Sequence, residues 1–189
     1  FLDLANRRML EGRSGTAERA VNPATGRPAI RCRPIRDPRA FGVNFSKGGS
    51  PVGVLSPKFP KFESADLEVA VTTDGRAPID GLELAIVDTS SVVGTVKVPC
   101  AELATAGRHV VRTKLDRSTL AGDGASGCDR RHFALRGIAF SCAAGAKDTT
   151  VFVDAVALRT RSRAADVLRL ELDTGADFNH SVPTGRTSV

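Results

Sequence analysis

Arginine at alternate positions is the recurring chemical pattern of this chain. Arg31 and Arg33 stand in Ala29-Ile-Arg-Cys-Arg-Pro-Ile35, and Arg159, Arg161 and Arg163 follow one another at the same spacing after Leu158. Residues two apart in an extended strand share a face, so each set turns its guanidinium groups to one side. A guanidinium fork grips a carboxylate or a sulfate through paired hydrogen bonds. The chemistry on offer is therefore anion recognition rather than bond making. The second notable position is Asp154, a lone carboxylate inside the apolar run Thr149-Thr-Val-Phe-Val-Asp-Ala-Val-Ala-Leu158. An uncompensated charge there would be costly. Asp154 therefore needs a partner such as an arginine, or a bulge that turns it to solvent.

Other constellations are weaker. Gly122-Asp-Gly-Ala-Ser-Gly127 matches G-x-G-x-x-G by letter. A dinucleotide needs that loop between a strand and a helix N-terminus. Here Cys-Asp-Arg-Arg-His and a strand follow, so the segment reads as a flexible loop. Neither G-x-S-x-G nor H-E-x-x-H occurs, and His109, His132 and His180 lack metal-ligand spacing. Glu63 with Asp66, and Asp80 with Glu83, read as loop and strand-face carboxylates. The four cysteines, Cys32, Cys100, Cys128 and Cys142, contain no C-x-x-C pair, which argues against a zinc ribbon or a thioredoxin-like site. Disulfides and buried thiols both remain open for them. Asn44-Phe-Ser46 and Asn179-His-Ser181 fit the N-glycosylation pattern.

Composition sets the bounds. At 189 residues with 41% hydrophobic and 25% charged residues, the chain fits one domain with an appendage. No apolar stretch is long enough for a membrane-spanning helix. The net charge is +6 and the pI near 9.6, a balance that can favour polyanions. The basic residues are scattered rather than blocked, however, which suits a solvated surface better than a nucleic-acid patch. The first residue is Phe1 rather than Met, as in a processed or partial chain.

The elements that must position these residues are strands. Residues 1–28 are mixed, broken by Gly12, Gly15, Pro23, Gly26 and Pro28. In Ala29–Ile35, Ile30 and Cys32 face one way and the arginines the other, with Pro34 ending the strand or marking an edge. Ala40–Phe45 is the next strand, then a Gly/Pro/Lys loop from which Phe59 and Phe62 fold back onto the core. Leu67, Val69 and Val71 alternate in Asp66–Thr73, Asp74-Gly75 makes a turn, and Leu82, Leu84 and Ile86 repeat the period. Gly94–Val98 is a strand stopped by Pro99, Cys100–Thr105 a single helical turn, and Arg108–Leu115 a strand with His109, Val111, Thr113 and Leu115 on one face. After the loop Ala121–Asp129, the runs Phe133–Cys142 and Thr149–Leu158 predict a closing hairpin. Strands at this spacing without helical crossovers predict an all-β antiparallel sandwich or jelly roll. The sandwich is expected over residues 1–163. Residues 164–189 contain a further strand, Val167–Leu172, read as a linker and the opening of a following domain, or as an extra edge strand.

In order and spacing, Gly26–Arg31, Ser64–Gly75, Arg108–Leu115 and Val151–Leu158 resemble the galactose-binding-like β-sandwich of carbohydrate-binding modules that accompany glycoside hydrolases. The resemblance spans residues 10–160. It implies a non-catalytic accessory domain of a larger secreted or cell-surface protein, acting by substrate proximity or as a scaffold against a neighbouring domain of the same chain. It also implies a structural calcium ion held by Asp154, with Glu11 as the N-terminal partner; a hard cation needs such clustered oxygens. In the resembled fold the strand after the Gly loop lies beside the closing strand, so Arg31, Arg33, Arg159, Arg161 and Arg163 would form one stripe suited to a polysaccharide bearing uronate or sulfate. The chain departs from the pattern in having no Trp and no Tyr, the rings on which pyranose faces usually stack. Two competing expectations are a polysaccharide-degrading jelly-roll enzyme and a general polyanion binder.

Overall fold

Period-two alternation organises the described residues into twelve strands. The computed structural model describes residues 10–47, 50–51, 65–87, 93–115, 134–160 and 167–171. The strands are β1 (Leu10–Arg13), β2 (Gly15–Asn22), β3 (Arg27–Pro34), β4 (Ala40–Lys47), β5 (Ser50–Pro51), β6 (Ala65–Thr73), β7 (Gly81–Val87), β8 (Val93–Pro99), β9 (Gly107–Leu115), β10 (Ala134–Ser141), β11 (Val151–Thr160) and β12 (Val167–Glu171). A single 3-10 turn, Ala101–Ala104, separates β8 from β9. One sheet runs β1-β4-β10-β7-β8 with β5 added to β4; the other runs β2-β3-β11-β6-β9 with β12 added to β11. All of these pairings are antiparallel. The fold is the antiparallel β-sandwich that the strand spacing predicts.

The core lies between the sheets. Phe41, Val43, Phe45, Leu82, Leu84, Ile86, Ile138 and Phe140 enter it from the first sheet, and Ile30, Cys32, Leu67, Val69, Val71, Val151 and Val153 from the second. Each fully buried large side chain stabilises the fold by about 1.5–3 kcal/mol relative to exposure. Phe41 and Phe140 are register partners on β4 and β10, with ring centroids 5.6 Å apart at 45°.

The expected closing hairpin does not form. β10 pairs with β4 and β7 in the first sheet, whereas β11 pairs with β3 and β6 in the second. Ile138 and Phe140 thus enter the core from the opposite sheet to Val151 and Val153 rather than lying beside them. The link between them is held by Asp74, whose carboxylate accepts from Thr149 Oγ1 at 2.7 Å and Thr150 N at 2.8 Å. Gly145 turns the link at φ +90°, with the Asp37 carboxylate so close that a Cβ would lie 2.3 Å from its Oδ1.

Two further features complete the sheets. The mixed N-terminal region contains β1 and β2, neither of which alternates cleanly in sequence. The segment expected to open a following domain, or to add an edge strand, supplies β12, which pairs with β11 from Ala155 to Arg159. β3 pairs with β11 only from Val151 to Val153, so β3 and β12 lie end to end along one edge of β11.

Candidate functional site

The outward face of the second sheet gathers the polar side chains. One cross-strand row crosses all five strands of the sheet's main path: Glu18 on β2, Arg31 on β3, Phe152 on β11, Thr72 on β6 and Arg108 on β9. Each follows from alternation, because its neighbours Ile30, Cys32, Val71, Val151 and Val153 are drawn into the core. Arg31 is bound to Glu18, its Nε 3.0 Å from Oε1. Phe152 is half-buried at the middle of the row. Arg108 is 48% exposed, and its Nε stands 3.9 Å from Asp154 Oδ2, too long for a hydrogen bond. Further along β9, Arg112 Nε donates to Glu68 Oε1 at 3.0 Å.

Beneath this row lies Asp154. The β11–β6 register shifts between Val153 and Ala155, so Asp154 occupies a bulge, the position at which a strand can re-aim a side chain. Its carboxylate is buried, with 8% exposure. Asn22 Nδ2 donates to Oδ1 at 2.6 Å and to Thr72 Oγ1 at 2.8 Å, while Thr72 Oγ1 donates to Oδ2 at 2.7 Å. Asn22 Oδ1 accepts from Ala24 N at 2.9 Å, which fixes which end of the amide faces the carboxylate. Asn22 is on β2, yet it reaches β11 and β6. The end of the β2–β3 hairpin therefore folds across the outside of β11, which is why β3 leaves its edge after Val153. Gly26, at φ +67°, completes that turn.

This arrangement does not fit a calcium ion. Calcium takes six to eight oxygen ligands, whereas both oxygens of Asp154 face N–H or O–H donors and a guanidinium stands nearby. Glu11, the expected partner, is exposed on β1 in the other sheet, opposite Asn44. Among the described residues no group of three or more His, Cys, Asp or Glu is placed to hold a metal.

Among the described residues the expected arginine stripe is not assembled either. β3 does lie beside β11, but the pairing is antiparallel: Arg31 is opposite Phe152 and Cys32 opposite Val151, so Arg33 lies beyond the start of β11. Arg159 is seven residues along β11 in the other direction, opposite Asp66, a separation of about 23 Å at the rise of a strand. Arg161 and Arg163 lie outside the described residues, as do Cys128, the Gly122–Gly127 loop, Phe59, Phe62, His132 and His180. The sequence reading missed Arg108, Asn22 and the outward setting of Phe152. Arg108 lay in a run already recognised as a strand, but its proximity to Asp154 depends on strand order.

On the outward face of the first sheet, Arg13 Nη1 lies 3.3 Å from Glu83 Oε1. Their cross-strand row reads Arg13, Gly42, Ala139, Glu83. The ion pair thus passes over two small residues; at Gly42 a Cβ would lie 2.0 Å from the Ile138 carbonyl oxygen. The three described cysteines supply no surface chemistry. Cys32, Cys100 and Cys142 are free and buried. Burial pushes the Cys32 thiol up to about 12. Burial, then the Glu102 carboxylate, raises Cys100 to about 11, and burial, then Asp80 and Asp37, raises Cys142 to about 11. His109 is turned to the Thr105 carbonyl, 3.0 Å from its Nε2.

No family model and no curated protein matches this chain. Solved structures match it by fold. An exo-beta-agarase superposes with a TM-score of 0.55 at 12% identity, over 82% of this chain and 24% of that one. A structure of carbohydrate-binding modules from the β-sandwich superfamily gives a TM-score of 0.47 at 11% identity, over 88% and 59%. An arabinose-bound α-L-arabinofuranosidase gives 0.48 at 11%, over 79% and 23%. The chain thus spans about a quarter of the two enzymes (24% and 23%) and 59% of the module structure. Its class is an antiparallel β-sandwich.

Proposed function

We propose that this chain is a non-catalytic, carbohydrate-binding-like module of a larger exported carbohydrate-active protein. The observation that carries the reading is how six of the described carboxylates are engaged. Glu18, Glu68 and Glu83 pair with Arg31, Arg112 and Arg13. Asp154 is held by Asn22 and Thr72, Asp74 by Thr149 and Thr150, and Asp80 by the Ala143 amide. Glycoside hydrolysis needs two carboxyl groups facing one bond from either side, and these six are committed to neighbouring strands and turns instead. What the second sheet presents outward is the half-buried Phe152, Arg108 and the pairs Glu18–Arg31 and Glu68–Arg112. The superposition on part of an agarase supports the same reading, since a sandwich of this size forms a minor share of that enzyme.

A second reading, an interdomain scaffold, is favoured by the absence of Trp and Tyr and by the mutual pairing of the outward arginines and carboxylates. A glycan array run at low and high salt, with a reducing-sugar assay on each positive, separates these outcomes. The module reading expects glycan binding without release of reducing ends. Hydrolysis would overturn it in favour of an enzyme, and no binding to any glycan would overturn it in favour of the scaffold.

A further inference from the structure

We infer that the outer edge of β9 is a docking site for an extended, acidic strand of another protein. β9 runs from Gly107 to Leu115 and pairs with β6 residue for residue over all nine positions, with no shift of register. Among the described residues no strand lies on its other side. Alternate residues of such an edge turn their N–H and C=O groups away from the sheet, a row that a further strand can complete. No proline interrupts the run. β8, an end strand of the other sheet, is shorter at seven residues and closes on Pro99, which has no N–H to offer.

Charge selects the occupant. The outward-facing residues of β9 are Arg108, Val110, Arg112 and Lys114, and the strand holds no acidic residue. β6 shows what a neighbour of this strand looks like. It sets Asp66 opposite Lys114, Glu68 opposite Arg112, Ala70 opposite Val110 and Thr72 opposite Arg108, and it holds no cation. Arg112 donates to Glu68 at 3.0 Å yet keeps 68% of its side chain exposed, and Arg108 keeps 48%. A guanidinium has donors enough to serve a carboxylate on each side. Val110, 37% exposed between the two arginines, adds an apolar contact. A strand with acidic residues alternating about one apolar residue would repeat the β6 pattern, opposite charges facing each other across the ladder. A second copy of this chain does not fit. Antiparallel pairing of β9 with itself about Val111 sets Arg108 opposite Lys114, and about Val110 it sets Arg108 opposite Arg112, like charges that repel.

The test titrates the full chain with a capped peptide of the β6 sequence, Ala65–Thr73, N-methylated at alternate residues along one edge so that it cannot stack on itself. Two peptides serve as comparisons. One carries Asp66→Lys and Glu68→Lys; the other is N-methylated at every residue, which keeps the charges and removes the ladder. Amide hydrogen exchange read by NMR locates the peptide, and melting curves establish that each protein variant is folded. The acidic peptide is expected to bind and to slow exchange at alternate residues of β9. The lysine peptide should bind about tenfold more weakly, and the fully methylated one should not bind. Arg112→Gln combined with Lys114→Gln should weaken the acidic peptide about tenfold, the size of two cross-strand charge pairs; Lys97→Gln on β8 should leave it unchanged. Equal binding of the acidic and lysine peptides would overturn the charge selection. Equal binding of the fully methylated peptide would reduce the edge to a charged patch. Slowed exchange on β8 instead of β9, or no binding, would overturn the docking site. A chain that sediments as a dimer with its β9 amides already protected would give the edge to a second copy.

Discussion

Asp154 shows how a single charge can be read in two ways. As a carboxylate on an apolar strand it suggests a metal ligand; in place, it is the point to which Asn22 ties the β2–β3 hairpin. Hydrogen bonds to a charged group are each worth about 1.5–3 kcal/mol. Asp154→Ala removes two of them, leaving the Asn22 amide only its bond to Thr72 and the Thr72 hydroxyl without its acceptor, so a loss of about 2 kcal/mol or more is expected in urea unfolding. Melting curves with added calcium and with a chelator should superimpose; a calcium-dependent rise in Tm would refute the fit drawn here. The buried thiols make a separate prediction. A thiol whose pKa is raised on folding stays protonated in the native state while the unfolded chain ionises near the ordinary value of 9.0. The unfolded state then binds fewer protons, so stability falls as pH rises above about 9. Denaturant midpoints measured from pH 8 to 10.5 should decline, and a thiol reagent should leave Cys32, Cys100 and Cys142 unmodified until the protein is unfolded. Rapid native labelling of these three would contradict their burial.

At the scale of strands, alternation was legible and partnership was not. Ile30 with Cys32, the series Leu67, Val69 and Val71, and Leu82, Leu84 and Ile86 all enter the core as their two-residue period predicts. The period says nothing about which strand lies alongside, and the short polar link between β10 and β11 resembles a hairpin turn although it crosses between sheets. β1 and β2 were missed because Glu11 and Arg13 in the one, and Glu18 and Arg19 in the other, interrupt any apolar pattern. β1 pairs with β4 and β2 with β3, the latter joined by the Glu18–Arg31 contact, and each strand packs little bulk, Leu10 and Ala17, against the core. The arginine stripe failed for a related reason: an antiparallel register reverses one strand, so arginines that look adjacent in a list separate along β11. β12 allows a direct check. It occupies the edge of β11 that the hairpin leaves, and an uncovered edge invites pairing with another chain. A chain ending at residue 163 should melt at lower temperature and self-associate in sedimentation; unchanged melting and a monomer would place β12 outside the folding unit.

For the whole molecule, sequence and structure agree on class and diverge on the site. Spacing of strands and lack of helical crossovers were enough to predict two antiparallel sheets, because sheet architecture follows from periodicity and connection length. The surface chemistry was not readable in that way, since Phe152, Thr72 and Arg108 are drawn together by sheet order from distant parts of the chain. The functional account therefore stands on the outward face of the second sheet. Amide NMR spectra of the intact chain, titrated with soluble sulfated and uronate oligosaccharides, test it most directly. The account predicts saturable shifts clustered on one surface of the sandwich; no shift at saturating saccharide would contradict it.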